Sequence, residues 1–298
     1  MKKVRIIAEI GSNYDNDFET AVAYIRASRD AGADMVKFQT LRKERIVAQD
    51  IRVGGRLERN PVYDLFTSLE LPDDWHAHLK QKADEMGIEF FSTPFYLEAV
   101  DLLERVGVRT YKIASGDITF TPLLEAVGRT GKSAVVSTGG STLAEIEAAL
   151  TILQKAGIGD VSLMHCVSNY PPAWEEMNLQ AIPTLRRTFG LPVGISDHTP
   201  GDLVPIAAVA LGASLIEKHV TFDRSRPGPD HPFAMTLEEF GTMIGRIRLL
   251  EKALGTGEKI PTPTELAKKH RMRRGIYDSA TKLPADGTEG IWLRPEHT

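Results

Sequence analysis

Cysteine is almost missing from this chain. Cys166 is the single example among 298 residues, which excludes an intrachain disulfide and any cysteine-cluster metal site and fits a reducing cytoplasm. No apolar run approaches the roughly 20 residues of a membrane span, and Arg5 and Glu9 break the first apolar stretch too early for a secretory signal. Neither membrane insertion nor secretion is expected. Basic charge is not in excess either: a formal net charge of -4 and a pI near 6.1 give no general attraction to nucleic acid. Small molecules are the expected partners. A glycine-rich dinucleotide fingerprint is also missing after the first apolar run, which disfavours a doubly wound open sheet.

What is present points to an enzyme built on repeated units. With 42% hydrophobic and 26% charged residues, the chain is neither disordered nor fibrous, and its length suits one large domain. Short apolar runs bounded by glycine, proline or polar clusters recur at residues 5–10, 35–38, 89–92, 110–113, 134–137, 161–165, 193–198 and 215–219, with helical patterns between them. Runs of this kind suit strands buried on both faces, and their alternation with helices predicts parallel β/α units. Eight such units predict an α/β fold, a closed (β/α)8 TIM barrel over residues 1–254. The stretch between Gln39 and Leu71, with Gly54, Gly55 and Pro61, is longer than most β/α loops; it reads either as a lid or acceptor-binding loop or as a solvated excursion. From residue 255, Gly255, Gly257, Pro261 and Pro263 lead into the basic run Lys268-Lys269-His270-Arg271-Met272-Arg273-Arg274, which reads as a linker. Residues 275–298 are too few to bury a core of their own.

Parallel β/α barrels carry their chemistry at the carboxyl ends of the strands, and polar clusters recur at those ends here. The last two runs end in His198 and His219, one strand-helix-strand step apart, so their imidazoles can share the barrel mouth as ligands for a divalent metal. A hydrogen-bonded core histidine is the alternative for either one. His231, in the proline-rich loop after the eighth run, is a candidate third ligand or an exposed loop residue. Lys37 and Lys112 each interrupt an apolar strand, beside Ser92, Thr93, Ser115, Ser137 and Thr138. Such lysines meet an anion, snorkel to solvent, form a buried ion pair or serve as a Schiff-base nucleophile. Glu9, Asp117, Asp197, Glu217 and Asp230 can orient a histidine, bind a sugar hydroxyl or act as a base, and spacing does not separate these functions. Cys166 reads as a small core residue.

Ala8-Glu9-Ile10-Gly11, Val36-Lys37-Phe38-Gln39-Thr40, Ser92-Thr93-Pro94-Phe95, Tyr111-Lys112-Ile113-Ala114-Ser115-Gly116-Asp117, Gly194-Ile195-Ser196-Asp197-His198-Thr199 and Gly228-Pro229-Asp230-His231 closely resemble the sialic acid synthases. That family includes the legionaminic and pseudaminic acid synthases and spore-coat polysaccharide relatives. The resemblance runs from about residue 4 to 275 in order. It implies a metal-dependent condensation of phosphoenolpyruvate with an N-acylated, N-acetylmannosamine-like hexosamine, giving a nonulosonate and phosphate. It also implies that Lys37, Thr93, Lys112, Ser115, Ser137, Asn169 and Ser196 hold phosphoenolpyruvate and that His198 and His219 bind Mn or Mg. Glu9, Gln39, Tyr170 and Asp230 match acceptor-contacting positions, and Asp117 stands where the family often carries a proton-handling glutamate. A homodimer is implied as well. Residues 273–277 and 283–287 resemble the opening of the antifreeze-like domain that usually follows the barrel, so residues 255–298 are expected to be a linker and a remnant of that domain. Two other readings of the same residues are a Schiff-base aldolase or lyase acting on a 2-keto-3-deoxy sugar acid and a noncatalytic sugar-binding barrel.

Overall fold

Eight parallel strands close on themselves in the computed structural model, which describes residues 3–295. They are β1 (Arg5–Glu9), β2 (Met35–Thr40), β3 (Glu89–Pro94), β4 (Thr110–Ile113), β5 (Ser133–Ser137), β6 (Val161–Cys166), β7 (Val193–Asp197) and β8 (Leu215–Thr221). Each pairs with the next, and β8 returns to β1 with Leu215 opposite Arg5 and His219 opposite Glu9. A helix follows every strand, from Phe18–Asp30 after β1 to Leu237–Ala253 after β8. The protein is a (β/α)8 TIM barrel. Among the described residues no helix is long and apolar enough to cross a membrane.

Period-two alternation sorts the strand residues into two layers. Outward residues such as Ile6, Val36, Ile113, Val136, Ile195 and Ile216 pack into the large core beneath the helices, while Ile7, Met35, Phe91, Val135, Met164 and Leu215 form a separate apolar plug inside the barrel. Two residues further along, the inward position turns polar: Glu9, Lys37, Thr93, Ser137 and Glu217. The barrel is therefore sealed at its amino end and polar at its carboxyl end. Gly194 allows the last strands to approach closely, because a Cβ there would lie 2.4 Å from the Leu215 carbonyl oxygen.

Strand ends differ from the sequence expectation at both histidines. β7 stops at Asp197, which puts His198 just beyond the strand, and β8 runs past His219 to Thr221, where it pairs with the short strand Met235–Thr236. The segment after β2 is structured: a helical turn Lys43–Ile46, an exposed hairpin Asp50–Val53 with Arg56–Arg59, and a 3-10 turn Leu65–Leu69.

Chain contacts divide the molecule into two units, Met1–Leu254 and Gly255–Thr298. Where the sequence reads as a linker, the second unit carries the helix Pro263–Met272. The cause is local: Thr262 and Glu265 form a capping box around Pro263 in the first turn, a combination that starts helices. Gly275–Tyr277 and Ile291–Leu293 pair antiparallel after it.

Candidate active site

The polar end of the barrel opens into a cavity of about 370 Å³. Glu9, Lys37, Gln39, Thr93, Lys112, Ser115, Ser137, Tyr170, Ser196, His198, His219 and Asp230 all line it. Two expected residues do not. Asn169 points elsewhere, donating from Nδ2 to Glu176 Oε2 at 3.1 Å in an exposed position. Asp117 sits on the 3-10 turn Ser115–Asp117 after β4, outside the lining, and burial alone raises its carboxyl pKa to about 6.

Charge is concentrated on the inner wall. Lys112 Nζ donates to both Glu217 oxygens at 2.7 Å, and Ser196 Oγ donates to Glu217 Oε1 at 2.9 Å. Lys37 Nζ lies 3.1 Å from Glu9 Oε2 and 3.5 Å from Glu217 Oε1, and it donates to Thr93 Oγ1 at 3.3 Å. Gln39 Nε2 holds the other Glu9 oxygen at 2.7 Å. Both lysines are thus enclosed and paired, not snorkelling. Burial works against ionised Glu217, but Lys112 and Lys37 outweigh it and hold the carboxyl below its ordinary range. Burial likewise opposes the Lys37 charge, and Glu217 and Glu9 overcome it, so its pKa rises. At Lys112 burial prevails over Glu217, with Lys37 adding to it, and the pKa falls. The arrangement is one carboxylate clamped between two ammonium groups, of which Lys112 is the less firmly protonated.

The histidines form a second cluster beside an aromatic wall. The His198 and His219 rings lie 5.3 Å apart between centroids, with Tyr170 4.2 Å from His198 and Phe233 5.0 Å from His219. Burial and then the neighbouring His219 push the His198 pKa down to about 3, so its ring is neutral. His198 Nδ1–H donates to the Val167 carbonyl at 3.2 Å, which fixes the tautomer and leaves the Nε2 lone pair available. His219 Nδ1 is buried without a hydrogen-bond partner, 3.5 Å from Asp230 Oδ2. An orphaned imidazole nitrogen and a free imidazole lone pair are donors of the kind that suit a divalent cation. Among the described residues no group of three or more potential metal ligands is assembled around one point. His231 is neither exposed nor part of this cluster: it is buried and bonded to Thr221 Oγ1 at 2.8 Å and Asp15 Oδ1 at 3.1 Å.

Other lining residues carried weaker signals in sequence. Leu41, Ile46, Phe66 and Leu69 reach the cavity from the segment after β2, and Phe95 follows β3. Their apolar character alone reads as packing. Cys166 is buried as expected yet lines the cavity, with Sγ 4.0 Å from Ser168 Oγ, and burial raises its thiol pKa, which makes it a poor nucleophile.

The NeuB family model matches residues 24–259. The chain belongs to the NeuB family. This NeuB-family chain is 39% identical to an N,N'-diacetyllegionaminic acid synthase of Legionella pneumophila, covering 91% of this chain and 79% of that one. It is 42% identical to the uncharacterized protein MJ1065 of Methanocaldococcus jannaschii, over 97% and 87% of the two chains. Its fold overlays the crystal structure of N-acetylneuraminic acid (sialic acid) synthetase from Leptospira borgpetersenii serovar Hardjo-bovis, solved with citrate, at a TM-score of 0.82 and 35% identity over 90% of each chain.

Proposed function

We propose that this NeuB-family protein is a sialic-acid-type synthase that condenses phosphoenolpyruvate with an N-acylated hexosamine related to N-acetylmannosamine, releasing phosphate and a nonulosonate. The observation that carries this reading is the pairing, in one cavity, of two enclosed lysines among hydroxyls with two imidazoles that leave nitrogens unclaimed.

Lys37 and Lys112 would take the phosphate and carboxylate of phosphoenolpyruvate, each exchanging part of its contact with Glu217 or Glu9 for the substrate anion. Thr93, Ser115, Ser137 and Ser196 supply hydroxyl and backbone donors around it. Asn169 could join them only by leaving Glu176. Glu9, Gln39, Tyr170 and Asp230 are assigned to the acceptor. His198 and His219 would hold a Mn or Mg ion, which when bound supplies Lewis-acid polarisation of the acceptor aldehyde. The enolpyruvate C3 attacks the aldehyde carbon to form the new carbon-carbon bond, water adds at C2, and the C2–O bond to phosphate breaks. Asp117, its pKa raised by burial to about 6, is assigned to proton transfer through solvent, since it stands outside the lining. The resemblance also carries the proposal of a homodimer in the cytoplasm.

The test is phosphate release when phosphoenolpyruvate and Mn are mixed with a panel of aldoses. Release that requires both Mn and an N-acylated hexosamine supports the reading. Activity without metal, trapped by borohydride on Lys112, would replace it with a Schiff-base aldolase.

A further inference from the structure

Lys218 and Asp197 are charged, buried and unused by the scheme above. Glu217 and His219 face the cavity from β8, so alternation turns Lys218 outward, and Ser196 on β7 turns Asp197 outward in the same way. The two residues are register partners in adjacent strands. Lys218 Nζ donates to Asp197 Oδ2 at 2.6 Å and also to the Thr199 carbonyl, and the pair is almost wholly shielded from water. Asp197 in turn accepts the Thr199 N–H at 2.9 Å and its hydroxyl at 3.0 Å. Both backbone groups of Thr199 are therefore tied to this pair. The residue between the two anchors is His198.

A pair this deep contributes little net stability, because desolvating both charges offsets their attraction and apolar residues of similar volume serve as well. Its outward neighbours Ile195, Ile216 and Val220 are all apolar. Packing does not require a charge here. What the charges do contact is the turn that leads from β7 into His198, whose ring is then held at its far side by Val167.

We propose that Lys218 and Asp197 are positioning residues, holding the 197–199 turn so that His198 presents Nε2 to the cavity beside His219. The inference rests on the assignment of these histidines as metal donors. The variant Asp197→Asn/Lys218→Met removes both charges but keeps an acceptor for Thr199. It should fold, as judged by circular dichroism and melting. Its Mn affinity, measured by electron paramagnetic resonance, should fall about ten- to a hundredfold, as for other residues that orient a ligating histidine. Nitrogen-15 spectra of the histidine-labelled protein should show His198 losing its single Nδ1–H tautomer, while calorimetry shows phosphoenolpyruvate binding unchanged. If the double variant fails to fold, Lys218→Arg carries the same comparison, because a guanidinium displaces the turn while keeping the charge. Parental tautomer and parental Mn affinity in the folded variant would overturn the proposal, since a merely structural pair changes melting alone. Absence of any Mn effect on His198 in the parent would instead remove the metal assignment, and the tautomer comparison would still decide the positioning.

Discussion

At Lys112 the integrity of the buried wall and the proposed anion binding meet in one side chain. It is locked to both oxygens of Glu217, and removing it leaves that buried carboxylate with only the longer Lys37 contact and the Ser196 hydroxyl. Lys112→Met should therefore destabilise the barrel by about 3–5 kcal/mol in urea titrations, and Lys112→Met/Glu217→Leu should recover most of that loss. Neither variant should recover phosphoenolpyruvate binding, which calorimetry should show weakened roughly ten- to a hundredfold for the loss of one charge-assisted hydrogen bond. Equal affinity in parent and Lys112→Met would sink the anion assignment. Asp117 titrates in the opposite sense to a paired carboxylate. Burial raises its pKa from the ordinary 3.8 to about 6, so between those values the folded chain binds more protons than the unfolded one. Its contribution to stability is thus most favourable below about pH 4 and declines as pH rises to about 6. Asp117→Asn should flatten that part of the stability curve in urea melts at pH 4.5 and 7. Identical pH dependence in the variant would show that the carboxyl is not desolvated.

Two elements make the cavity what it is. β7 can lie against β8 only because residue 194 has no side chain, so Gly194→Ala, forcing a Cβ to 2.4 Å from a backbone oxygen, should cost at least the usual 1–3 kcal/mol of overpacking. A urea midpoint within error of the parent would mean that the strands can separate freely. The segment after β2 shows features of both readings that its sequence left open. Its hairpin is exposed, yet Ile46, Phe66 and Leu69 line the cavity. Phe66→Ala should then raise KM for the amino-sugar acceptor while leaving KM for phosphoenolpyruvate near the parental value. A change confined to phosphoenolpyruvate would place the acceptor elsewhere.

At the scale of the whole molecule, the polar inner wall is built by strands from every quarter of the barrel, so it exists only when the barrel closes. The first unit holds both the apolar plug and the large outer core. A chain ending at Leu254 should fold alone, with a cooperative thermal transition and the parental far-ultraviolet spectrum. A broad, non-cooperative melt would show that the second unit is needed for the first to fold.

The eight strands and their helices were legible because short continuous apolar runs, glycine and proline boundaries and polar strand ends are local properties of the chain. Alternation likewise accounts for the lining residues that lie on strands, such as Glu9, Lys37, Thr93, Lys112, Ser137, Ser196 and His219, whereas Ser115, Tyr170, His198 and Asp230 lie beyond the strand ends, where alternation does not reach. Tertiary structure alone decided who meets whom. Lys112 pairs with a carboxylate 105 positions away, and a carbonyl 31 positions from His198 selects its tautomer. Such pairings depend on strand register and closure, which no local pattern carries. For the same reason the sequence could not show that His231 is buried against Asp15 or that Lys218 reaches past its strand to the turn beside His198; the Asn169 contact with Glu176, seven positions on, is set instead by the conformation of the loop after β6.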